Sequence, residues 1–539
     1  MNSFHKLVFL VLALFCSQTA MAQPDLPDDE VEVIKDFEAR LADSEKLELS
    51  PELPLADTTS KHLTYQVPVK SLQVDYPAPK IRPLAIPAKK EAPGFNGYLK
   101  AGYGSPNSPL GELFYSYSNP EKYIIGLNAR HHSANSKKLE HQRFSDTDVN
   151  LNGLYYFESG LAVGARIGYH AEQVHFYGYD HEVTDLIRSE VKQKFNTIYG
   201  NVNIFNAHRT QGDINYRANA GFYRLTDNYT VSELGINLSA GATKWFMEKH
   251  AFNVDVIADF TNPDQILSND LNNFYIQPNF AFHADKFRIK AGVNLAFSDT
   301  DFYIYPDAEV AVNIIGNKLA AYVGAGGDLK KNTIQTLSNV NPYIHTRDRL
   351  TAKNTSFYHY YGGVKGNLQV VDYQIEGGFK RANDLALYLT DPTDTLRFAV
   401  LYDTVNIVTL NGSLTATPVK NLELTVTLGQ SIFNPENEEK AWHLPIFNTN
   451  FSARYTTLGD KLTLKGELFI ENGVPYRDNQ GNVGNLNGLF DLNVGAEYSI
   501  GKNIGIFLDL NNIASNKRQR WFRYPTYGFN VMGGVTARF

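Results

Sequence analysis

From Phe95 to the last residue, Phe539, apolar and polar side chains alternate with a period of two. Residues 462–470 place Leu462, Leu464, Gly466, Leu468 and Ile470 on one face, opposite Thr463, Lys465, Glu467 and Phe469. In residues 491–498, Leu492, Val494, Ala496 and Tyr498 oppose Asp491, Asn493, Gly495 and Glu497. The same spacing runs through Phe252, Val254, Val256, Ala258 and Phe260, and through Leu422, Leu424, Val426 and Leu428. It recurs in Phe287, Ile289, Ala291, Val293, Leu295 and Phe297. Successive side chains in a strand point to opposite faces, so this pattern predicts strands rather than helices. Each apolar face runs roughly 9–10 residues, enough for a tilted strand to cross a bilayer, and many end on the aromatic residues that favour membrane interfaces.

The connections carry a second pattern. Short links at Glu248–His250, Ala284–Lys286, Gly316–Lys318, Val419–Asn421, Gly459–Lys461 and Ile500–Asn503 alternate with long ones. The long links span 133–146, 172–193, 261–272, 329–354, 382–395, 432–444, 471–487 and 512–524, and counting between them predicts about 22 strands. An even strand number, short turns on one side and longer loops on the other describe an all-β, transmembrane antiparallel β-barrel of the outer-membrane type. A secreted soluble β protein such as a propeller also alternates apolar and polar residues. It does not account for the long and short links, the aromatic strand ends or the terminal Phe539.

Composition alone points elsewhere. The chain has 539 residues, 43% hydrophobic and 20% charged, with a net charge of −7 and 65 Tyr and Phe residues. Beyond the N-terminus no apolar run approaches the roughly 20 residues a membrane helix requires. The average therefore reads as soluble, because it pools the two opposed faces of each strand. The mild acidity and the lack of a Lys/Arg block exclude a nucleic-acid partner.

Residues 1–22 read as a secretory signal peptide: Lys6 at the positive end, an apolar core from Leu7 to Phe15, and small residues at Ala20 and Ala22. Cleavage between Ala22 and Gln23 removes the only cysteine, Cys16, and leaves neither disulfides nor thiolate ligands. Phe15 occupies the position where a lipoprotein signal needs a small residue, so Cys16 is not a lipidation site. Residues 23–94 hold ten of the 23 prolines and are acidic at first, then basic. This composition predicts a Pro-rich, largely extended periplasmic or lumenal arm that docks onto something else.

Catalytic motifs are absent from the sequence: there is no nucleophile elbow, P-loop or HExxH, and the reading is not an enzyme. Gly324-Ala-Gly-Gly327 reads as close strand packing rather than a phosphate cradle. His131, His132, His141, His170, His175 and His181 cluster in or beside two outer links, and His131, His132, His170, His175 and His181 are weak metal candidates. Their spacing matches no ligand set, so no metal and no cofactor is assigned, and hydrogen-bonded loop polarity is the plainer reading. Asp255, Asp259, Lys465, Glu467, Asp491 and Glu497 face inward, as in a wetted lumen.

Several blocks resemble one family. The end of the chain, Leu508–Ile513 and Gln519–Phe529 through Phe539, resembles the last two strands of TonB-dependent receptors of the Bacteroidota. Gly97–Gly104, His175–Gly178, Leu401–Val405 and Ala441–Pro445 look like a receptor-like barrel subfamily of the same group. The resemblance implies a cell outer-membrane location, transport as transporter or transporter component, and a barrel spanning residues 95–539. It also implies a C-terminal signal for the barrel-assembly machinery, carried here by Phe529, Val531, Val535 and Phe539. A complete receptor of that family carries a globular plug of well over a hundred residues, which the arm at 23–94 is too short to form. Something else must then fill the barrel: the arm, inward-folded loops or a partner. Val31, Val33 and Ile34 resemble an apolar box that meets TonB, and the alternative is pairing with a periplasmic or surface lipoprotein. A structural subunit of an outer-membrane assembly or secretion complex is the competing function. Membrane lipid is a partner in either case.

Overall fold

The computed structural model describes residues 94–119, 121–264, 270–299, 301–346 and 350–539. The signal peptide, the Ala22–Gln23 junction, the Val31, Val33 and Ile34 box, and all of the arm but its last residue lie outside the described residues.

The strand Gly97–Gly104 pairs antiparallel with both Ser108–Asn119 and the last strand, Asn530–Arg538, so the sheet closes on itself. Asp301–Pro306 and Ala308–Ile315 both pair with Phe287–Ser298 and act as one strand interrupted at Asp307. Counted so, the wall is a closed antiparallel barrel of 22 strands, the number the link pattern predicts. Closure removes the unpaired sheet edges that hydrocarbon cannot satisfy.

Strand parity decides which face is which. Leu99, Leu151, Ile167, Ile198, Phe222, Val256, Ile276, Ile375, Leu410 and Val535 stand apolar and exposed on the outside of the wall. A continuous surface of this kind is untenable in water but is satisfied by lipid. Aromatic rings gather at both strand ends. Phe246 with Phe280 and Phe282 with Phe287 form ring pairs, joined through the His250 ring, beside the turns at the terminal end. Phe260 with Phe274 and Phe297 with Phe302, at 5.4 and 4.6 Å between centroids, lie toward the opposite end.

The inward face is polar and internally paired. Arg217 reaches Asp255 at 2.5 Å, Lys331 reaches Asp259 at 2.6 Å, and Lys465 and Arg538 approach Glu497 at 3.9 and 3.1 Å. Asparagines bridge neighbouring strands, with Asn253 donating to Asn279 at 2.9 Å and Asn128 to Asn150 at 3.0 Å. Of the Gly324–Gly327 run, a Cβ on Gly324 would fall 2.4 Å from the Tyr361 ring and one on Gly327 2.4 Å from that of Tyr305. The glycines therefore admit aromatic rings across the sheet.

Several outer links are shorter than the sequence pattern predicts. The link expected at 382–395 occupies only 391–397, because Val371–Thr390 continues as a strand of 20 residues. The reason lies in Leu385 to Leu389, where the alternation of apolar and polar residues stops. Leu387 and Leu389 pack with Trp442, while Ala386 and Tyr388 pack in a second cluster with Trp521. Both faces of the strand are covered there, and a doubly buried strand loses its period of two.

Candidate functional site: a cap built from the outer links

The links opposite the chain termini converge. Residues 176–191 join the fifth and sixth strands, 333–352 the thirteenth and fourteenth, 391–397 the fifteenth and sixteenth, and 512–529 the last two. Around the rim 176–191, 333–352 and 512–529 are separated from one another by several strand spacings of about 4.8 Å each, while 391–397 neighbours 333–352. They nevertheless share one hydrophobic core: Phe176, Tyr177 and Val191 from the first, Ile334, Leu337 and Ile344 from the second, and Trp521 and Tyr524 from the last. Tyr388 and Phe398, at the tops of two long strands, complete it. Contacts among links so far apart on the rim require them to cross the mouth, so together they cap the barrel.

Aromatic rings set the geometry of the cap. Tyr524 stacks on Tyr343 at 3.9 Å between centroids and meets Tyr177 edge-on at 5.0 Å. Trp521 packs against Tyr388, His443 and Phe398 at 5.2, 5.3 and 5.4 Å. Such ring pairs hold relative orientation as well as burying area. Burial raises the Tyr343 and Tyr524 hydroxyl pKa values well above the ordinary value, so both remain neutral donors. The Tyr524 hydroxyl donates to the Leu396 carbonyl and that of Tyr177 to the Pro525 carbonyl.

Buried polar groups tie the cap to the wall. The 333–352 link contains a seven-residue helix, Ile334–Val340, capped by Thr333 and Thr336. Glu233, only 1% exposed, accepts the Ile334 and Gln335 amides at 2.7 and 3.2 Å and the Tyr223 hydroxyl at 2.8 Å. Asp403 accepts the Glu438 amide at 2.8 Å and the Asn437 side-chain amide at 2.7 Å, holding the 436–446 link. Arg518 and Arg520 carry the last long link to Asp491 and Glu471 on the lumen wall, at 3.4 and 2.7 Å. His443 donates from Nδ1 to the Tyr388 carbonyl at 2.7 Å and accepts the Phe522 amide at Nε2 at 3.3 Å. Burial lowers its pKa to about 4, so the neutral ring is the form this site accommodates.

The histidines read as metal candidates do not converge. His131 and His132 are consecutive in one strand and point to opposite faces. His131 hydrogen-bonds Thr147 at 2.8 Å, and His132 hydrogen-bonds Ser108 at 3.1 Å. His170 lies 3.6 Å from Asp146, His175 is completely buried, and His181 bonds the Tyr177 carbonyl while resting on the Tyr179 ring. Among the described residues no three His, Cys, Asp or Glu side chains are grouped to hold a metal ion. Val535 and Phe539 are exposed on the lipid side of the last strand, Val531 shares that side, and Phe529 is exposed just before it. The inward charges end in ion pairs, as described for Asp255, Asp259, Lys465, Asp491 and Glu497, while Glu467 accepts the Asn450 side chain at 2.7 Å.

Sequence reading missed the helix, Tyr343 and the role of Glu233. Neither Thr333 nor Glu233 carries a local signal of a contact about a hundred positions away in the chain. Most of the motif blocks, by contrast, reach the cap through Phe176 and Tyr177, Asp403, Trp442 and His443, and Trp521 and Tyr524, while Gly97–Gly104 is a strand of the wall.

A closed 22-strand barrel with a lipid-compatible exterior and a polar interior defines an outer-membrane β-barrel protein of a Gram-negative bacterium. Its fold is shared with solved TonB-dependent receptors. Similar structures include a mutant ferric enterobactin receptor of Pseudomonas aeruginosa, with TM-score 0.62, 9% identity, and 82% of this chain and 80% of that one covered. The ferric-catecholate import receptor Fiu of E. coli K12 matches with TM-score 0.62, 8% identity, and 83% and 82% covered. The siderophore receptor PiuA of Acinetobacter baumannii matches with TM-score 0.61, 10% identity, and 82% of each covered. No family model and no curated protein sequence matches this chain.

Proposed function

We propose that this chain serves transport across the outer membrane, as a transporter or as the membrane component of one. The observation that carries this reading is a wide barrel whose lumen is polar and ion-paired while its outer mouth is covered by links. In this reading the cap is the movable closure and the receptor surface, and the arm at 23–94 is the periplasmic contact. Val31, Val33 and Ile34 are its contact residues for TonB or a periplasmic or surface lipoprotein. Phe529, Val531, Val535 and Phe539 form the signal read by the barrel-assembly machinery. The receptor names borne by the similar structures support the class of function.

A second reading is favoured by one feature of the cap, its fully buried aromatic core. A mouth sealed in this way suits a scaffold subunit of a larger assembly, with the arm as its docking segment. Planar-bilayer recording on the full chain, on a form lacking 23–94 and on a form with the cap core opened at Tyr524 separates the two. Discrete conductance in either altered form supports transport, and silence in all three supports the scaffold.

A further inference from the structure

At the seam between the first and last strands, on the outer side of the wall, lies a cavity of about 1270 Å³. This exceeds the roughly 300–1,000 Å³ that small-molecule pockets occupy. Its floor is apolar: Tyr103 is 63% exposed, Phe529 48% and Ile513 38%, with Val531 beside them. Tyr103 shares its face with Leu99, and Val531 with Val535, so the floor continues the lipid-facing wall. The Tyr103 hydroxyl donates to Asn107 at 2.7 Å, at the level where the wall gives way to the links.

The rim is cationic. Lys137, Lys138 and Lys517 line it, all exposed, and none has a carboxylate within ion-pair distance among the described residues. The three links around the cavity, 105–107, 136–142 and 512–529, contain a single acid, Glu140, which lies 3.7 Å from His141. Arg518 and Arg520 of the same links are engaged by Asp491 and Glu471, and Arg523 lies over the Phe522 ring outside the cavity lining, which leaves the lysines as the cavity's own charges. Such a local excess of cations stands out on a chain of net charge −7.

We propose that this cavity binds an acyl lipid of the outer leaflet that carries phosphate on its headgroup. Acyl chains lie along Tyr103, Phe529, Ile513 and Val531, and the phosphates meet Lys137, Lys138 and Lys517. A protein partner would not require a floor continuous with the hydrocarbon-facing wall, whereas a lipid does. Free charges at the headgroup level then attract the anionic headgroup, as basic clusters do at anionic membranes. The inference is independent of whether the barrel transports.

The test uses the full chain purified in uncharged detergent, with bisphosphorylated lipid A as probe and retention measured by native mass spectrometry. Dephosphorylated lipid A and inorganic phosphate are the comparison ligands. K137Q/K138Q/K517Q alters exposed residues only, and K420Q/K461Q, on the opposite turns, is the control. The expected result is about tenfold weaker retention in the triple variant, from three exposed charge contacts, and no change in the control. Dephosphorylated lipid is held more weakly by wild type, and inorganic phosphate does not displace the lipid. Equal retention by wild type and triple variant, equal loss in the control, or full displacement by phosphate each overturns the proposal.

Discussion

The ring of Tyr343 lies on that of Tyr524, 3.9 Å between centroids and 24° from parallel, although the two belong to links from well-separated strand pairs. That contact belongs to the hydrophobic core the links share, which makes the cap a packed domain rather than a set of free loops. Tyr524→Ala removes this stack, the edge contact with Tyr177 and the hydrogen bond to Leu396. Truncating a buried aromatic ring costs roughly 3–5 kcal/mol, and here the loss falls on the cap because the wall has its own hydrogen bonds. The expected outcome is fast proteolytic cleavage in 512–529 with the heat-modifiable gel mobility of the folded barrel retained. Tyr524→Phe, which loses only the hydroxyl, costs about 1 kcal/mol and stays resistant.

Glu233 governs the helix Ile334–Val340. Replacing it with Ala leaves two helix amides and the Tyr223 hydroxyl without their acceptor in a buried site. Each orphaned group costs about 1–3 kcal/mol, so the first turn of the helix should open. Hydrogen exchange at Ile334 to Leu337 should accelerate strongly in Glu233→Ala and less in Glu233→Gln, which keeps one acceptor. Unchanged protection in the alanine variant would falsify the capping role.

The cap should weaken in acid through His443. Its folded pKa is lowered to about 4 by burial, against about 6.5 for a free histidine. Above pH 6.5 the ring is neutral in both states and pH has no effect through it. As pH falls from 6.5 toward 4 the opened state takes up the proton first, and stability is lost by up to about 3 kcal/mol. Protonation also removes the acceptor at Nε2 for the Phe522 amide. Protease resistance of the 436–446 and 512–529 links should therefore decline across this window in wild type. In His443→Asn, which cannot titrate there, the curve should be flatter.

The barrel closes around Phe539. Its amide donates to the Gly97 carbonyl at 3.1 Å, the Gly97 amide returns a bond at 2.7 Å, and its ring stacks on Tyr115 at 6.3 Å. A Cβ on Gly97 would stand 2.3 Å from that ring. Gly97→Ala and Phe539→Ala should each lower the yield of folded barrel in the outer membrane. The double variant should recover part of the Gly97→Ala loss, since the clash disappears with the ring and neighbouring sites are not additive. Strict additivity in yield or in urea midpoint would show that the ring does not sit on Gly97 during closure.

The lipid-facing side of the barrel was legible in the sequence. The alternation through Phe252 to Phe260 and Phe287 to Phe297 is a local property: parity along one strand decides the face, whatever its neighbours are. Where that rule fails, at Leu385 to Leu389, the strand is covered on both faces and the predicted link is too long. The cap was legible only as unexplained motif blocks. Phe176, Trp442 and Trp521 stand out as aromatic residues in polar links, yet nothing local says that their links meet.

The period of the side chains and the lengths of the turns therefore determined the barrel, its strand number and its membrane setting, because each depends on residues adjacent in the chain. Only the tertiary structure decided what lies over the mouth. Closing the sheet into a ring brings the links at 176–191, 333–352 and 512–529 to one rim, and whether Tyr343 meets Tyr524 there depends on the packing of segments that no local pattern relates. The same holds for Glu233, whose carboxylate is a strand residue by sequence and a helix cap only once the barrel has closed.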